Sequence, residues 1–242
     1  MAGRLGHINE ERRVGHIPVN GIRVTNYIYG FSGAVIDFDA DFFTDTKTNL
    51  AALSYWTCKI SGIRAEQTTA AQQPQFILSD ANFNNKPSIR FAAAGQDRMV
   101  FNSSIGIPYD FTLVAVCKIN TISSGTNAIF NNIVSGNGTF RLNNFAAGNG
   151  VGMQDPSSVV YEDPTPNDTL AHVVIWTKDE IFIDGVSVVS GLATSVLSAL
   201  NFIGSGTGTS SLISDIARFF MYDRRLSNSE ISTLTTLLQS DY

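Results

Sequence analysis

The sequence has few of the residues that usually mark a metal, redox or nucleic-acid function. Two cysteines in 242 residues cannot form the dense disulfide framework of small secreted domains. Three histidines, with no Cys or His cluster and no H-E-x-x-H motif, give no support for a transition-metal site. Charged residues make up 15% of the chain and the net charge is −5, without the basic stripe that nucleic-acid binding needs. We therefore expect no cofactor, no metal and no nucleic-acid partner.

Long apolar segments are missing as well. No run of about 18 apolar residues is present, so we expect no membrane insertion. Residues 1–21 lack the apolar centre of a secretory signal. Cys58 and Cys117 alternate with apolar neighbours, which predicts buried free thiols and leaves a disulfide as the alternative. These features favour synthesis in a reducing cytoplasm.

The sequence does contain a series of β-strands, clearest in its last third. Residues 172–177, 181–184 and 186–189 are apolar and β-branched. Asp184-Gly185 between the last two segments is a tight-turn signal, so the three are predicted to form an antiparallel meander. A further strand is predicted over residues 213–222, and its alternation places on one face Ile213, Asp215, Ala217, Phe219 and Met221.

A helix is predicted after residue 225, where the apolar period changes from two to about 3.6. Ser227 and Glu230 have the spacing of a capping box, and Leu226 and Ile231 that of a hydrophobic staple around it. The helix is expected to pack on a sheet through one apolar face made of Ile231, Leu234, Leu237 and Leu238.

These segments resemble a known family. The stretches HVVIWTKDEIFIDGVSV and NFIGSGTGTSSLISDIARFFMYDRRLSNSEISTL are similar to the end of laminin G-like domains in the concanavalin A-like lectin and glucanase superfamily. NKPSIRFAAAGQDRMVF followed by FTLVAVCKI is similar to their central strands. The resemblance covers roughly residues 35–240 and implies an all-β fold, a two-sheet antiparallel jelly-roll sandwich. Members include lectins, glycosidases, adhesion proteins and bacteriophage virion proteins, so the fold constrains function loosely.

The first 30 residues differ from the remainder. Four arginines against two glutamates give this segment a charge of +2 and leave −7 on the rest of the chain. The pattern R-[LV]-G-H-I occurs twice in it, nine residues apart, which indicates either chance similarity or a docking arm. We expect residues 1–30 to be an assembly arm joining a homo-oligomer or a larger particle, and residues 31–242 to be the sandwich. The predicted docking residues are Arg4, Leu5, His7, Ile8, Arg12, Arg13, Val14, His16 and Ile17.

Catalytic patterns are absent from the sequence. The E-x-D-x-x-E spacing that the glucanase branch uses does not occur, nor does G-x-S-x-G. Glu162-Asp163 is predicted in a loop before Pro164, and Asp179-Glu180 at a hairpin turn. His172 is interpreted as a structural histidine. Loop carboxylates that could supply oxygens to calcium, as in related domains, are Asp97, Asp155 and Asp163, although no spacing distinguishes them.

Residues 127–163 are the least strand-like part and could carry recognition. Amides that bind hydroxyls and rings that stack on sugars suit a glycan site, and they are equally common in ordinary turns. The predicted glycan-binding residues are Arg141, Asn143, Asn144, Phe145, Asp155 and Tyr161.

Together these features predict a non-enzymatic structural or attachment protein of a tailed-bacteriophage virion, assembled in the host cytoplasm. Its partners would be other virion proteins and a cell-surface glycan. The alternatives are a carbohydrate-binding module or lectin, and then a glycosidase.

Overall fold

The computed structural model describes residues 27–43, 45–92, 97–120, 128–131, 139–142, 151–154, 160–163, 168–192, 199–204 and 214–242. The predicted docking residues all precede residue 27 and lie outside this part of the chain. The strands are β1 Tyr27–Ile28, β2 Phe31–Ser32, β3 Ala34–Asp39, β4 Tyr55–Thr57, β5 Arg64–Glu66, β6 Gln75–Asp80, β7 Lys86–Phe91, β8 Arg98–Gly106, β9 Thr112–Ile119, β10 Ala128–Asn131, β11 Thr139–Leu142, β12 Val151–Gln154, β13 Val160–Asp163, β14 Ala171–Thr177, β15 Glu180–Ile183, β16 Val186–Ser190, β17 Ala199–Gly204 and β18 Ser214–Tyr222. One α-helix, α1, spans Asn228–Asp241, and short 3-10 helices span Ala40–Phe43, Ala70–Gln72 and Ala81–Phe83.

Two large antiparallel sheets form the body of the protein. The front sheet has the order β13-β12-β11-β10-β17-β8-β5-β4, and the back sheet the order β16-β15-β14-β9-β18-β7-β6, with β3 also paired to β18. The predicted all-β fold of two antiparallel sheets with a C-terminal helix is confirmed. No helix in the described ranges is long and apolar enough to cross a membrane.

Aromatic side chains fill the space between the two sheets. Phe38 and Phe219 of the back sheet stack with ring centroids 4.6 Å apart, and Phe130 of the front sheet lies 4.7 Å from Phe219. The indole nitrogen of Trp176 donates a hydrogen bond of 3.1 Å to the carbonyl of Gly152 on the opposite sheet. These contacts cross the interface, so the sheets are joined by packing and by buried hydrogen bonds, which include a 3.2 Å bond from the indole nitrogen of Trp56 on β4 to the carbonyl of Asp39 on β3.

A second, smaller core lies between the back sheet and α1. Ser227 and Glu230 form the predicted capping box, and Leu226 and Ile231 are both buried. The prediction that Leu237 lies on the apolar face is wrong, because about 100° per residue turns it well away from Ile231. Leu237 is 40% exposed, and Thr235 is buried on that face instead.

Strand β18 lies at the centre of the back sheet. It pairs with β9 along one edge and with β7 and then β3 along the other, and all nine of its residues are buried. The pairing with β9 shifts register between Ile216 and Arg218. The predicted alternation of Asp215 with Phe219 is therefore wrong, because the bulge places Ile216, and not Asp215, in the inter-sheet core with Phe219.

Several other local predictions have clear outcomes. The meander β14-β15-β16 is confirmed, and Asp184 and Gly185 form its turn with φ angles of 50° and 81°. Cys58 and Cys117 are free and buried, as predicted. The placement of Glu162-Asp163 in a loop is wrong, because both residues belong to β13, which pairs with β12.

Candidate functional site

A histidine between two carboxylates lies at one end of the back sheet. His172 is the second residue of β14, at the end of that strand next to the Asp184-Gly185 turn, and Asp168 precedes it by four residues. The Nδ1 atom of His172 is 2.7 Å from Asp184 Oδ2, and its Nε2 atom is 2.8 Å from Asp168 Oδ1. The other oxygen of Asp184 accepts a 2.9 Å hydrogen bond from the backbone of Val173. The prediction of a structural histidine is therefore confirmed.

The ionisation of this group follows from its surroundings. Burial alone would disfavour charge on His172, but the two carboxylates outweigh it and raise the pKa of His172. The pKa of Asp168 is lowered by its hydrogen bond to His172, and that of Asp184 is lowered because the same ring and the Val173 N–H outweigh the effect of burial. The group thus favours an imidazolium between two ionised carboxylates.

A cavity of about 360 Å³ lies beside this histidine, outside the back sheet. We call it the helix-end cavity. Its apolar wall comes from the sheet and the helix, and consists of Val116, Leu170, Ala171, Val173 and Leu238. Its polar lining consists of Asn82, His172, Asp184, Gln239 and Tyr242, with Ala81 completing the boundary.

The turn after β15 places its carboxylate at the cavity. Asp184 takes a left-handed conformation that short polar residues tolerate, and Gly185 follows with φ of 81°. A Cβ atom added at Gly185 would lie 3.5 Å from Thr235, so the turn packs closely against the helix. Gln239, in the last turn of α1, lines the same cavity as Asp184. The cavity wall is therefore built jointly by the hairpin and the last turn of α1.

His172 is not placed to act as a general base in this arrangement. Both ring nitrogens of His172 are already engaged by carboxylates, so the ring has no free position from which to accept a proton from a substrate. The described residues contain no group of three or more His, Cys, Asp or Glu that could hold a metal ion. What remains is a small cleft with carboxylate and amide groups beside an apolar wall and an aromatic ring.

The glycan-binding residues predicted from the sequence are only partly covered by the structure. The backbones of Arg141 and Tyr161 belong to β11 and β13, where they pair with Gly152 and Met153. The other predicted residues, Asn143, Asn144, Phe145 and Asp155, lie outside the described ranges, so this set stays a prediction.

The calcium ligands suggested from the sequence are likewise only partly covered by the structure. Asp97 is buried, and its carboxylate accepts a 2.9 Å hydrogen bond from the backbone of Ala92. Burial raises the pKa of Asp97 more than that hydrogen bond lowers it. Asp155 lies outside the described ranges and Asp163 is described by its backbone alone, so this set stays a prediction.

The helix-end cavity could not be found from the sequence. Its lining comes from positions between 81 and 242, and no motif links Asn82 to Gln239. The one local signal was the pair Asp168 and His172, four residues apart, followed by the Asp184-Gly185 turn.

No family model matches the sequence, and no curated protein matches it. Among solved structures, the chain is similar to Trypanosoma rangeli sialidase, with a TM-score of 0.51 and 18% identity over 84% of this chain and 32% of that chain. It is also similar to the binding domain of Paraclostridial Mosquitocidal Protein 1, with a TM-score of 0.55 and 12% identity over 80% of this chain and 52% of that one. The binding domain of Botulinum Neurotoxin DC, solved in complex with SialylT, gives a TM-score of 0.50 and 11% identity, over 81% of this chain and 52% of that one.

The chain therefore spans about a third of the sialidase and about half of each toxin domain. At these identities the similarity shows the fold alone, an antiparallel β-sandwich. The concanavalin A-like superfamily and the link to bacteriophage both stay predictions.

Proposed function

We propose that this chain is a non-enzymatic glycan-binding module and that the helix-end cavity holds one sugar unit. The observation that carries the proposal is the lining of the cavity, where amides and a carboxylate lie beside an apolar wall and the ring of Tyr242. A sugar has hydroxyl edges that bind amides and carboxylates, and C–H faces that pack on apolar groups. A volume of about 360 Å³ is at the lower end of small-molecule sites.

The solved structures support the same proposal. A fold shared with a sialidase and with a toxin binding domain in complex with SialylT favours a carbohydrate-related role. The engaged histidine favours binding without hydrolysis, so we expect no release of sugar from any glycan that the module binds.

The test is glycan-array screening followed by calorimetry with the best ligand. Leu170→Ala and Gln239→Ala should each weaken binding, by about tenfold for a contact worth about 1.4 kcal/mol. Leu170 is 61% exposed, so its truncation should leave stability almost unchanged. Leu237→Ala is the matched control, because Leu237 lies on α1 with Gln239, is exposed and does not line the cavity.

The glycan-binding residues predicted from the sequence provide a competing location for the sugar. If Arg141→Ala and Tyr161→Ala abolish binding while Leu170→Ala and Gln239→Ala do not, the sugar binds at the residues predicted from the sequence and the cavity assignment is wrong. Absence of binding to any glycan would reject the proposed function itself. Turnover of a bound glycan would instead favour a glycosidase.

The virion role is a separate proposal that rests on the basic arm and its repeated motif. Light scattering on the full chain and on a truncated chain that starts at Phe31 tests it. A discrete oligomer that becomes a monomer on truncation would support residues 1–30 as the assembly arm of a displayed attachment protein. Equal masses would leave the glycan-binding module without an assembly role for that arm.

A further inference from the structure

An exposed aromatic ring lies between two cations on the front sheet, whereas α1 packs on the back sheet. Tyr55 belongs to β4, the edge strand, where it pairs with Glu66, while Thr57 pairs with Arg64. Trp56 and Ala65, the alternate residues, are fully buried. Tyr55 and Arg64 therefore both lie on the outer surface of the front sheet.

The ring of Tyr55 is held from below. Phe43, which is buried, contacts it edge to face at a centroid distance of 6.2 Å. The backbone of Lys47 donates a 2.9 Å hydrogen bond to the carbonyl of Phe43, which ties the lysine to the same turn. Tyr55 nevertheless remains 38% exposed. The ring is thus positioned before any ligand arrives.

Two positive charges converge on this ring. The Nζ atom of Lys47 lies 6.0 Å from the centroid and the Cζ atom of Arg64 lies 5.8 Å from it, both near the outer limit of a cation–π contact. The backbone N–H of Arg64 is bound to Asn102 Oδ1 at 3.0 Å, which fixes its strand. We refer to Tyr55, Lys47 and Arg64 as the Tyr55 platform.

The guanidinium of Arg64 is not firmly committed to another group. Its nearest carboxylate oxygen, on Glu66, is 3.6 Å away, and the two side chains are 52% and 39% exposed. Exposed pairs of this kind contribute little free energy and separate readily. The three side chains Lys47, Arg64 and Glu66 carry a net charge of +1 on a chain whose total is −5. An anion would therefore be attracted to this place on an otherwise acidic protein.

We infer that the Tyr55 platform is a second binding site, for a sugar that carries a carboxylate. Arginine matches a carboxylate with two parallel hydrogen bonds, and lysine adds a point charge. The exposed part of the tyrosine ring offers an apolar surface to the C–H face of a sugar. This inference rests on the proposed function of the chain as a glycan-binding module, but the site differs from the helix-end cavity in place and in charge, so the variants of each site test it separately.

The test is a titration followed by NMR chemical shifts, with methyl glucuronide and methyl glucoside, which differ only at C6, where the first has a carboxylate and the second a hydroxymethyl group. The glucuronide should shift the amide signals of Tyr55, Arg64 and Lys47. The glucoside should bind with a dissociation constant at least about tenfold higher, because it lacks the charge-assisted pair with Arg64. Arg64→Gln and Tyr55→Ala should each weaken glucuronide binding by about tenfold or more.

A matched control exists on another surface. Lys178 lies 4.1 Å from the ring of the exposed Tyr109, but its Nζ atom is already paired with Asp110 at 2.6 Å, so Lys178→Gln should not change binding. Equal binding of glucoside and glucuronide would overturn the carboxylate requirement. Equal shifts with acetate would show that the ligand need not be a sugar. Unchanged affinity in Arg64→Gln would show that the glucuronide does not bind at the Tyr55 platform.

Discussion

Replacing His172 by glutamine should make stability depend on pH in a defined way. At about pH 5.5 the imidazolium and both carboxylates are charged. The Asp184 pair, at 2.7 Å with side-chain exposures of 14% for His172 and 31% for Asp184, should be worth about 2 kcal/mol as a charge-assisted hydrogen bond. The Asp168 pair is more exposed and adds less than about 1 kcal/mol. His172→Gln should therefore lower the free energy of unfolding by about 2 kcal/mol.

The sign of the pH dependence follows from the raised pKa of His172, in which the two carboxylates outweigh the effect of burial. A pKa that is higher in the folded than in the unfolded state stabilises the folded protein. This stabilisation is complete below the unfolded pKa of about 6.5, and it is lost as pH rises through the folded pKa. The lowered pKa values of Asp168 and Asp184 add stability above about pH 4 that is lost in acid. The difference between wild type and variant should thus be largest between about pH 4 and 6.5.

Urea unfolding of both proteins at about pH 5.5 and about pH 9.5 measures this difference. At the higher pH the neutral ring can donate only one hydrogen bond and faces a carboxylate with its bare nitrogen, so the difference should fall below about 1 kcal/mol. Asp168→Asn should show a smaller change than His172→Gln at low pH. An equal difference at both pH values would refute the argument from charge.

Three further predictions concern stability and reactivity. Arg218 donates two 2.8 Å hydrogen bonds to the buried carboxylate of Asp37. Arg218→Leu leaves that carboxylate without its partner and should lower the free energy of unfolding by about 3–5 kcal/mol. Urea unfolding measures the loss, and a value under about 1 kcal/mol would contradict the prediction. Ser227→Ala should cost about 1 kcal/mol through the capping box, and a variant as stable as wild type would count against that. Cys117, whose pKa is raised by burial, and Cys58 should react with a thiol reagent only after unfolding, so rapid labelling of native protein would be the opposing result.

Local features of this fold were predictable from the sequence because neighbouring residues determine them. The Asp184-Gly185 turn requires residues that tolerate positive φ, and the capping box requires a serine three residues before a glutamate. Each was recognised from a few adjacent positions. The fold class followed from alternation of apolar residues and from the family resemblance.

Apart from Leu237, which the helical period alone places off the apolar face, the errors and omissions arise from contacts between residues far apart in the sequence. A bulge in β18 depends on how its neighbours pair, so the apolar alternation of one strand could not reveal it. Arg218 meets Asp37 across 181 positions of the chain. The helix-end cavity and the Tyr55 platform similarly join residues that only the pairing of strands and the packing of α1 bring together. No spacing in the sequence encodes such contacts.

The central position of β18 has a consequence for how the protein unfolds. Because its side chains enter both cores, neither core can open without exposing part of the other, so the amides of β18 should exchange with solvent only through global unfolding. The hydroxyl of Tyr222, on the same strand, donates a 3.0 Å hydrogen bond to the carbonyl of Ile28 in β1, which forms a small antiparallel pair with β2. A mechanical load applied through the N-terminal side of the chain would therefore pass directly into the segment that loses its structure last.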